Sequence, residues 1–203
     1  MECTPLPADF YLNNTLWVAE NLIGKYIVRK IGSDCIVGRI NEAEAYIGPV
    51  DKACHAYNYK RTKRSEPLFH SGGIAYVYLI YGMYYCLNAV TEKEGEPCAV
   101  LIRGADIVCG FDLASSMRYN KPFGLLSKNE VKNMSNGPGK LCSALNIGKD
   151  LNTVSLSNGE LILADNVNGI ENKHVDINVT KRIGMGSAAC EAADFMWRFV
   201  AKD

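Results

Sequence analysis

The sequence lacks a run of about 18 or more apolar residues, the length that a membrane-spanning helix needs. Its opening stretch, MECTPLPADF, also lacks the basic start and the apolar segment of a secretory signal. Neither membrane insertion nor export is therefore indicated. We expect an intracellular protein with no membrane partner, placed in the cytoplasm or, if the source is bacterial, in the nucleoid.

Metal-binding motifs are also missing, because no CxxC pair occurs and only 3 histidines accompany the 8 cysteines. The wide cysteine spacing argues against a zinc site, and an intracellular compartment argues against disulfides. We expect no metal and no cofactor, and we interpret most cysteines as small buried hydrophobic residues. Cys54 beside His55 could act as a nucleophilic pair only if the fold also brings the two side chains together.

An excess of charge of one sign is absent as well, since 22 basic residues balance 22 acidic ones. The net charge of the chain therefore gives no support for a polyanion as ligand. Basic residues are nevertheless grouped in two blocks, at 51–64 and 118–140, whereas acidic residues prevail at 160–176. A solvated mixed surface explains such blocks equally well unless a motif adds to them.

The chain has 203 residues and 48% hydrophobic content, which suits a single domain over 1–203 with a sizeable core. Apolar periodicity and turn residues predict helices and strands throughout. The predicted helices are 15–23, 107–117, 138–145 and 188–200. The predicted strands are 25–30, 35–46, 98–103 and 175–182, with two more inside VSLSNGELILAD, joined by Ser157-Asn158-Gly159.

The segment IAYVYLIYGMYYCLNAV (74–90) holds five tyrosines around Gly82 and predicts a β-hairpin. Its turn falls on Tyr81-Gly82-Met83, so the turn presents the ring of Tyr81. Alternation with a period of two places Tyr76 and Tyr78 on the same face of the hairpin. A sheet core whose hydroxyl groups reach the surface is the alternative interpretation.

A candidate acid lies in the strand 35–46, where alternation places six residues on one face: Ile36, Gly38, Ile40, Glu42, Glu44 and Tyr46. A carboxylate on an apolar face is unfavourable to bury unless it is paired or used, which makes Glu44 a catalytic candidate. A structural ion pair is the alternative. His55, the tyrosines, Asn88 and Arg103 follow, the last two expected at strand ends. Together they predict a pocket for a flat, hydrogen-bonding ligand.

Five segments in this order resemble the alkyladenine (3-methyladenine) DNA glycosylase family over residues 9–200: RINEAEAYIGPVDKACHAY, AYVYLIYGMYYCLN, AVLIRGA, NGPGKLCSAL and RIGMG. The resemblance implies a monomer that acts on double-stranded DNA with a damaged purine. We expect a mixed α+β (α/β) fold like the C-terminal domain of formyltransferases. It would have a single, curved, mainly antiparallel sheet flanked by helices, with a protruding hairpin.

The resemblance further implies a monofunctional glycosylase of base excision repair, which flips an alkylated or deaminated purine out of the duplex and hydrolyses its N-glycosidic bond. Glu44 would deprotonate the attacking water, and Arg103 would help to hold that water and a flanking phosphate. Asn88 would clash with the 2-amino group of guanine. The other implied site residues are Tyr46, His55 and Tyr78 against the base, Tyr81 intercalated in the DNA, and Tyr76, Lys140 and Ile183 as further DNA contacts.

Two other functions fit the same residues. One is a lesion-sensing DNA-binding protein that has the pocket but no turnover, and the other is a hydrolase of free nucleosides. A lyase that forms a Schiff base is disfavoured, because the pocket segments before Lys93 contain no lysine outside the basic loop.

Overall fold

The computed structural model describes residues 2–172, 174–185 and 187–202. Across these residues the chain is organised around one nine-stranded sheet whose strand pairings are antiparallel. The strands are β1 (Cys3–Pro5), β2 (Tyr26–Ile31), β3 (Asp34–Ile47), β4 (Ala75–Ile80), β5 (Tyr84–Thr91), β6 (Cys98–Cys109), β7 (Leu161–Val167), β8 (Ile177–Thr180) and β9 (Arg198–Ala201). The α-helices are α1 (Ala8–Tyr11), α2 (Thr15–Asn21), α3 (Phe111–Tyr119), α4 (Lys128–Lys132) and α5 (Pro138–Ala144).

The strand order is β1-β7-β2-β3-β6-β5-β4, and β9 joins the sheet by pairing with β3 on one side and β8 on the other. The sheet is open, and β4 forms one of its edges. The predicted mixed α+β fold with a mainly antiparallel sheet is therefore confirmed. The predicted β-hairpin, made of β4 and β5, lies at this edge, away from the middle of the sheet.

The main core lies on the face of the sheet that α2 and α5 cover, and it includes the fully buried Val18 and Leu141. Local sequence explains where these helices begin. The side chain of Asn14 caps α2 by accepting the N–H of Leu16, at 3.0 Å, and Pro138 occupies the first turn of α5. A second, smaller cluster lies on the other face of the sheet, next to the hairpin. It contains Cys54, Ala56, Leu68, Phe69, Tyr76, Val90 and Ala99.

Neighbouring bulges interrupt the pairing of β3 with β6. The residue opposite Ile40 is Ala105, and the residue opposite Ala43 is Ile102, so Asn41 in β3 and Arg103 in β6 are each extra residues in the ladder. A bulge shifts the alternation of side chains by one position, which sends every later side chain to the opposite face.

Because of the bulge, the side chains of β3 do not keep to the faces that the sequence predicted. Ile36 and Ile40 belong to the main core, but beyond the bulge it is Ala43 and Ala45 that do so. The prediction that the even-numbered residues from 36 to 46 share one face is therefore wrong. Glu44 lies on the face opposite to Ile40, where the smaller cluster is.

The predicted terminal helix at 188–200 is also wrong. Residues Ser187–Asp194 form a 3-10 segment, and β9 follows as a strand. In β9, Phe199 lies opposite Ala43, and the Ala45 N–H donates to the carbonyl of Trp197 at 2.9 Å. Pairing with β9 gives the backbone N–H and C=O groups of β3 hydrogen-bond partners at this position. This long-range pairing outweighs the helical sequence pattern of the tail.

The predicted hairpin in VSLSNGELILAD is wrong in its first arm. Only β7 is a strand there, and it pairs with β1 and β2, whereas Ser155 makes an isolated bridge to Ile74. The helix predicted at 107–117 begins later, because β6 continues to Cys109 and Gly110, at φ 77°, makes the turn into α3. The other predicted elements occur, with ends moved by a few residues.

The cysteines are only partly as predicted. Four are buried, Cys54, Cys86, Cys98 and Cys142, but Cys3, Cys35 and Cys109 are half-exposed because they lie at strand ends or in an edge strand. The side chain of Cys190 lies outside the described part. None of the helices within the described ranges has the length and apolarity that crossing a bilayer requires.

Candidate active site

The tip of the hairpin is a tight turn that exposes one aromatic ring. Tyr81 and Gly82 have φ values of 53° and 69°, and the Met83 N–H donates to the Ile80 carbonyl at 3.3 Å. Two successive positive φ values define the turn type that matches the twist of a two-residue hairpin connection. The Tyr81 side chain is 80% exposed at this tip. It is therefore presented on a short, hydrogen-bonded support.

Behind the tip, four aromatic or imidazole rings and a buried amide enclose a narrow pocket. Its lining comprises Tyr46, Ala53, Cys54, His55, Leu68, Tyr76, Tyr78, Asn88 and Ala99. Tyr76 and Tyr78 share one face of β4, as predicted, with ring centroids 5.2 Å apart. The cavity measures about 30 Å³, which is room for water but too little for a purine ring.

His55 is held against both of these tyrosines. Its Nδ1 lies 2.8 Å from the Tyr76 hydroxyl oxygen, and its ring meets the Tyr78 ring edge-on at 4.6 Å. Burial, assisted by the nearby Arg64 guanidinium, lowers the pKa of His55 to about 4. The imidazole is therefore neutral near pH 7, with one nitrogen able to donate and the other able to accept.

The three tyrosines of the pocket are protonated at neutral pH. Burial raises the pKa of Tyr76 to about 12 and raises the pKa values of Tyr46 and Tyr78 further above their ordinary value. The neighbouring carboxylate of Glu44 also raises the pKa of Tyr46. The Arg64 guanidinium lies 5.1 Å from the centre of the Tyr78 ring.

Asn88 is fixed at the bottom of the pocket. It lies opposite Tyr76 in the β4–β5 ladder, is buried, and donates its amide N–H to the Tyr76 carbonyl at 3.0 Å. The prediction that Asn88 and Arg103 lie at strand ends is wrong, because β5 continues to Thr91 and β6 continues through the Arg103 bulge to Cys109.

Glu44 is fully buried and accepts three hydrogen bonds. One carboxylate oxygen accepts the Ile183 N–H at 3.0 Å, and the other accepts the Tyr46 hydroxyl at 2.9 Å and an Arg103 N–H at 3.3 Å. All three partners are donors, so both carboxylate oxygens act as acceptors. Glu44 is thus held in a fixed position next to the pocket of neutral rings.

The bulge at Arg103 places this arginine between the carboxylates of Glu42 and Glu44. Its Nε donates to Glu42 at 2.8 Å, and the same Glu42 oxygen accepts the Nε of Arg198 at 2.6 Å. The sequence indicated Glu42 only as a second acid near Glu44. Arg198 was missed, because its approach depends on the pairing of β9 with β3.

An open groove of about 400 Å³ adjoins the pocket. Glu44 lines neither space, but its three hydrogen-bond partners, Tyr46, Arg103 and Ile183, all line the groove. Tyr46 and Tyr78 line both spaces, and the hairpin tip and Pro138–Lys140 also line the groove. Ile183 and Lys140 line the groove, and the Lys140 ammonium donates to Asn133 at 2.7 Å.

Arg118 also lines the groove, although sequence reasoning placed it only in a basic block. Its Nε is buried and has no hydrogen-bond partner within the described ranges. The signal that pointed towards it was the cluster of basic residues at 118–140, which by itself does not distinguish a groove from a solvated face.

The structure brings most of the predicted site residues into one connected region. Glu44, Tyr46, Arg103 and Ile183 are joined by hydrogen bonds, and His55, Tyr76, Tyr78 and Asn88 line the adjoining pocket. Tyr81 and Lys140 lie along the groove. Tyr76 is buried inside the pocket, where it contacts His55.

A family model described as methylpurine-DNA glycosylase matches residues 9–203. The chain belongs to this family, and membership supports a DNA glycosylase role, a hydrolase of base excision repair that binds DNA. A protein of Clostridioides difficile (strain 630) is 46% identical over 197 residues, covering 94% of this chain and 97% of its own length. A protein of Clostridium perfringens (strain SM101 / Type A) is 46% identical over 198 residues, covering 98% and 96%. Each carries the name "Putative 3-methyladenine DNA glycosylase".

Proposed function

We propose that this protein is a monofunctional DNA glycosylase that flips an alkylated or deaminated purine out of duplex DNA and hydrolyses its N-glycosidic bond. The observation that carries the proposal is the place of Glu44. It is a fully buried carboxylate that accepts three hydrogen bonds, and the donors, Tyr46, Arg103 and Ile183, line an open groove next to the narrow aromatic pocket. Basic residues also line this groove. The substrate would be double-stranded DNA, and the protein would act as a single-domain monomer inside the cell, in the cytoplasm or nucleoid.

The base would stack inside the pocket. Within the described residues no ring contact joins Tyr46 to Tyr78 or His55, so Tyr46 forms a wall separate from the other rings. Stacking on such rings contributes roughly 1–3 kcal/mol per base, and an N-alkylated purine, which is cationic, gains about 0.5–2 kcal/mol more from the ring electrons. Because the cavity measures about 30 Å³, base entry would have to widen it.

Asn88 and His55 would read the edge of the base. Since the Asn88 amide nitrogen is held by the Tyr76 carbonyl, the side chain cannot turn away from an incoming group. The 2-amino group of guanine would meet it, which disfavours the normal base. Neutral lesions such as deaminated purines would depend on hydrogen bonds, and the neutral His55 offers one.

Tyr81 would occupy the gap that the flipped nucleotide leaves. Extruding a base costs a few kcal/mol, and least when the base is damaged or mispaired. A side chain inserted from a rigid support in the minor groove offsets part of that loss. The exposed Tyr81 ring on its tight turn has this arrangement.

Water would be the nucleophile. Glu44 would accept a proton from the water while the water oxygen forms a bond to the sugar C1′. The bond from C1′ to the purine nitrogen breaks at the same time, and the purine leaves. A general base of this kind contributes about 10²–10⁴-fold to the rate. No lysine lines the base pocket in the part of the chain that the structure describes, which favours water over an amine.

The test is the release of free purine from a duplex oligonucleotide that carries one 3-methyladenine analogue, 7-methylguanine or hypoxanthine. We expect Glu44→Gln to lower the single-turnover rate by about 10²–10⁴-fold and to retain binding of lesion DNA. Glu160→Gln, an exposed glutamate outside the site, is the matched control and should excise normally.

If the wild-type protein binds lesion duplexes but releases no base from any of them, the glycosylase proposal is wrong and a lesion-sensing protein explains the pocket. Release from free nucleosides at a rate insensitive to Tyr81→Ala would instead indicate a nucleoside hydrolase.

A further inference from the structure

A fully buried ion pair lies behind the base pocket, and nothing in the proposed reaction uses it. Both terminal nitrogens of Arg182 donate to the carboxylate of Asp51, at 2.5 and 2.8 Å, and both side chains are inaccessible to solvent. The same guanidinium donates to the carbonyl of Ala45 at 2.8 Å and to that of Ala192 at 3.0 Å.

The guanidinium also lies between two aromatic rings. Its central carbon is 4.6 Å from the centre of the Tyr46 ring and 5.2 Å from that of Trp197. Arg182 therefore fixes both the backbone of β3, through Ala45, and the ring of the next residue, Tyr46. Like the Tyr78 ring, this ring lines both the pocket and the groove, and its hydroxyl donates to Glu44.

Two further connections lead from this ion pair to the reacting groups. Ile183, the neighbour of Arg182 in the chain, donates its backbone N–H to Glu44. Asp51 accepts the Ala53 N–H at 3.0 Å and so shapes the turn that leads to His55. Arg182 thus joins the catalytic carboxylate, the Tyr46 wall and the His55 loop.

Stability alone does not account for such a pair. Replacing a buried ion pair by apolar side chains is often neutral or stabilising, because both charges lose their hydration when they are buried. Arginine, unlike lysine, can reach a carboxylate with two nitrogens and still donate to carbonyls and stack on rings.

We propose that Arg182 is a positioning residue for the hydrolysis, which sets the Tyr46 hydroxyl and the Ile183 N–H against Glu44. The inference rests on the proposed glycosylase activity. It requires that loss of Arg182 acts on the rate of bond cleavage through Glu44, and that DNA binding without a base in the pocket does not depend on Arg182.

The experiment compares wild type, Arg182→Met and Arg182→Lys by single-turnover excision, by the Kd for a duplex carrying a tetrahydrofuran abasic analogue, and by thermal unfolding. Displacement of catalytic groups by about 1 Å costs on the order of 10²-fold, so we expect a 10- to 100-fold slower excision with an unchanged Kd. Arg182→Lys should be slow as well, because it cannot make the paired contacts. If Arg182→Met does not fold, the excision rate of Arg182→Lys still tests the inference.

Arg29→Met is the matched control for the loss of a buried arginine. Arg29 pairs with Glu160 and contacts no site residue, so its variant can lose stability but should excise at the wild-type rate. A double-mutant cycle with Glu44→Gln separates positioning from general loosening. If Arg182 acts through Glu44, its effect shrinks towards one-fold in the Glu44→Gln background.

Excision by both Arg182 variants at the wild-type rate would overturn the inference. A full, multiplicative effect in the Glu44→Gln background would overturn it too. If the wild-type protein itself releases no base, it is the proposed function that fails, and that outcome is read from the wild type before any variant is made.

Discussion

At the closed end of the site, Glu44 and His55 have hydrogen-bond partners within the protein, whereas at the open end the Tyr81 hydroxyl and the Arg118 Nε have none among the described residues. Glu44 accepts three hydrogen bonds and His55 is bonded to Tyr76. The Tyr81 ring is exposed, and the buried Nε of Arg118 lacks a partner among the described residues. Under the proposed function, the groups that react would be held in place beforehand, and the groups that meet DNA would be satisfied by it.

The difference has an electrostatic side. The closed end is lined by neutral tyrosines and a neutral imidazole next to the buried Glu44. In the proposed reaction, a charge that develops on the sugar would therefore meet little solvent there. The open end carries Arg118 and Lys140, which suit phosphates and are screened by salt.

The largest expected effect on stability comes from Asp51→Ala. Removing this acid leaves the Arg182 charge buried and unpaired, which is expected to lower the free energy of unfolding by about 3–5 kcal/mol. Urea denaturation measures the loss. The control is Glu191→Ala, which removes the exposed partner of Lys52 and should change stability by less than about 1 kcal/mol. Equal losses of stability in the two variants would mean that the buried pair of Asp51 and Arg182 matters no more than an exposed one.

Acid should weaken the closed end through His55. Its pKa is lowered from 6.5 to about 4 in the folded protein, so the unfolded chain binds a proton more readily between these values. The contribution of His55 to stability is complete above about pH 6.5 and is lost as the pH falls towards 4. His55→Gln should flatten this part of the curve of unfolding free energy against pH. A curve unchanged by that substitution would mean that His55 is not buried as a neutral group.

Tyr46→Phe keeps the ring and removes one donor from Glu44. A hydrogen bond to a charged group contributes about 1.5–3 kcal/mol, so we expect about 10- to 100-fold slower base release with little change in the affinity for lesion DNA. Single-turnover kinetics and a binding titration measure the two quantities. The control is the exposed Tyr59, whose hydroxyl donates to Glu96, and Tyr59→Phe should excise normally.

At the open end, Tyr81→Ala should impair excision from duplex DNA and spare excision from single strands, where no gap has to be filled. The loss of a stacking ring corresponds to roughly 1–3 kcal/mol, or about 5- to 150-fold. Met83→Ala, at the same exposed turn, provides the comparison. Equal losses on duplex and single-stranded substrates would argue against intercalation.

The smallest effect is expected from Arg118→Ala. If Arg118 contacts a phosphate, the variant binds all duplexes more weakly, with or without a lesion, and the slope of log Kd against log salt concentration falls by about 1. The rate of excision by the bound enzyme should not change. Affinity that is lost only for lesion DNA would place Arg118 at the closed end instead.

Local sequence was sufficient for features that depend on neighbours along the chain. The hairpin tip at Tyr81-Gly82 and the shared face of Tyr76 and Tyr78 follow from turn chemistry and the period of a strand. The start of α5 follows from Pro138 in the same way. The order of the family-like segments indicated which side chains to expect in one site.

Long-range pairing decided the rest. The bulges at Asn41 and Arg103, which turn Glu44 away from the face of Ile40, exist only in the ladder between β3 and β6. The tail forms β9 and not a helix because the edge of β3 needs a partner.

The sequence by itself determined the residue types of the site and the local hairpin that carries Tyr81. Only the tertiary structure decided that Ile183 and Arg103 reach Glu44, and that Arg182 meets Asp51 across 131 positions of the chain. The physical reason is that propensity and alternation act over a few residues. Hydrogen bonds and ion pairs between distant segments depend on register, which a single extra residue in a strand reverses.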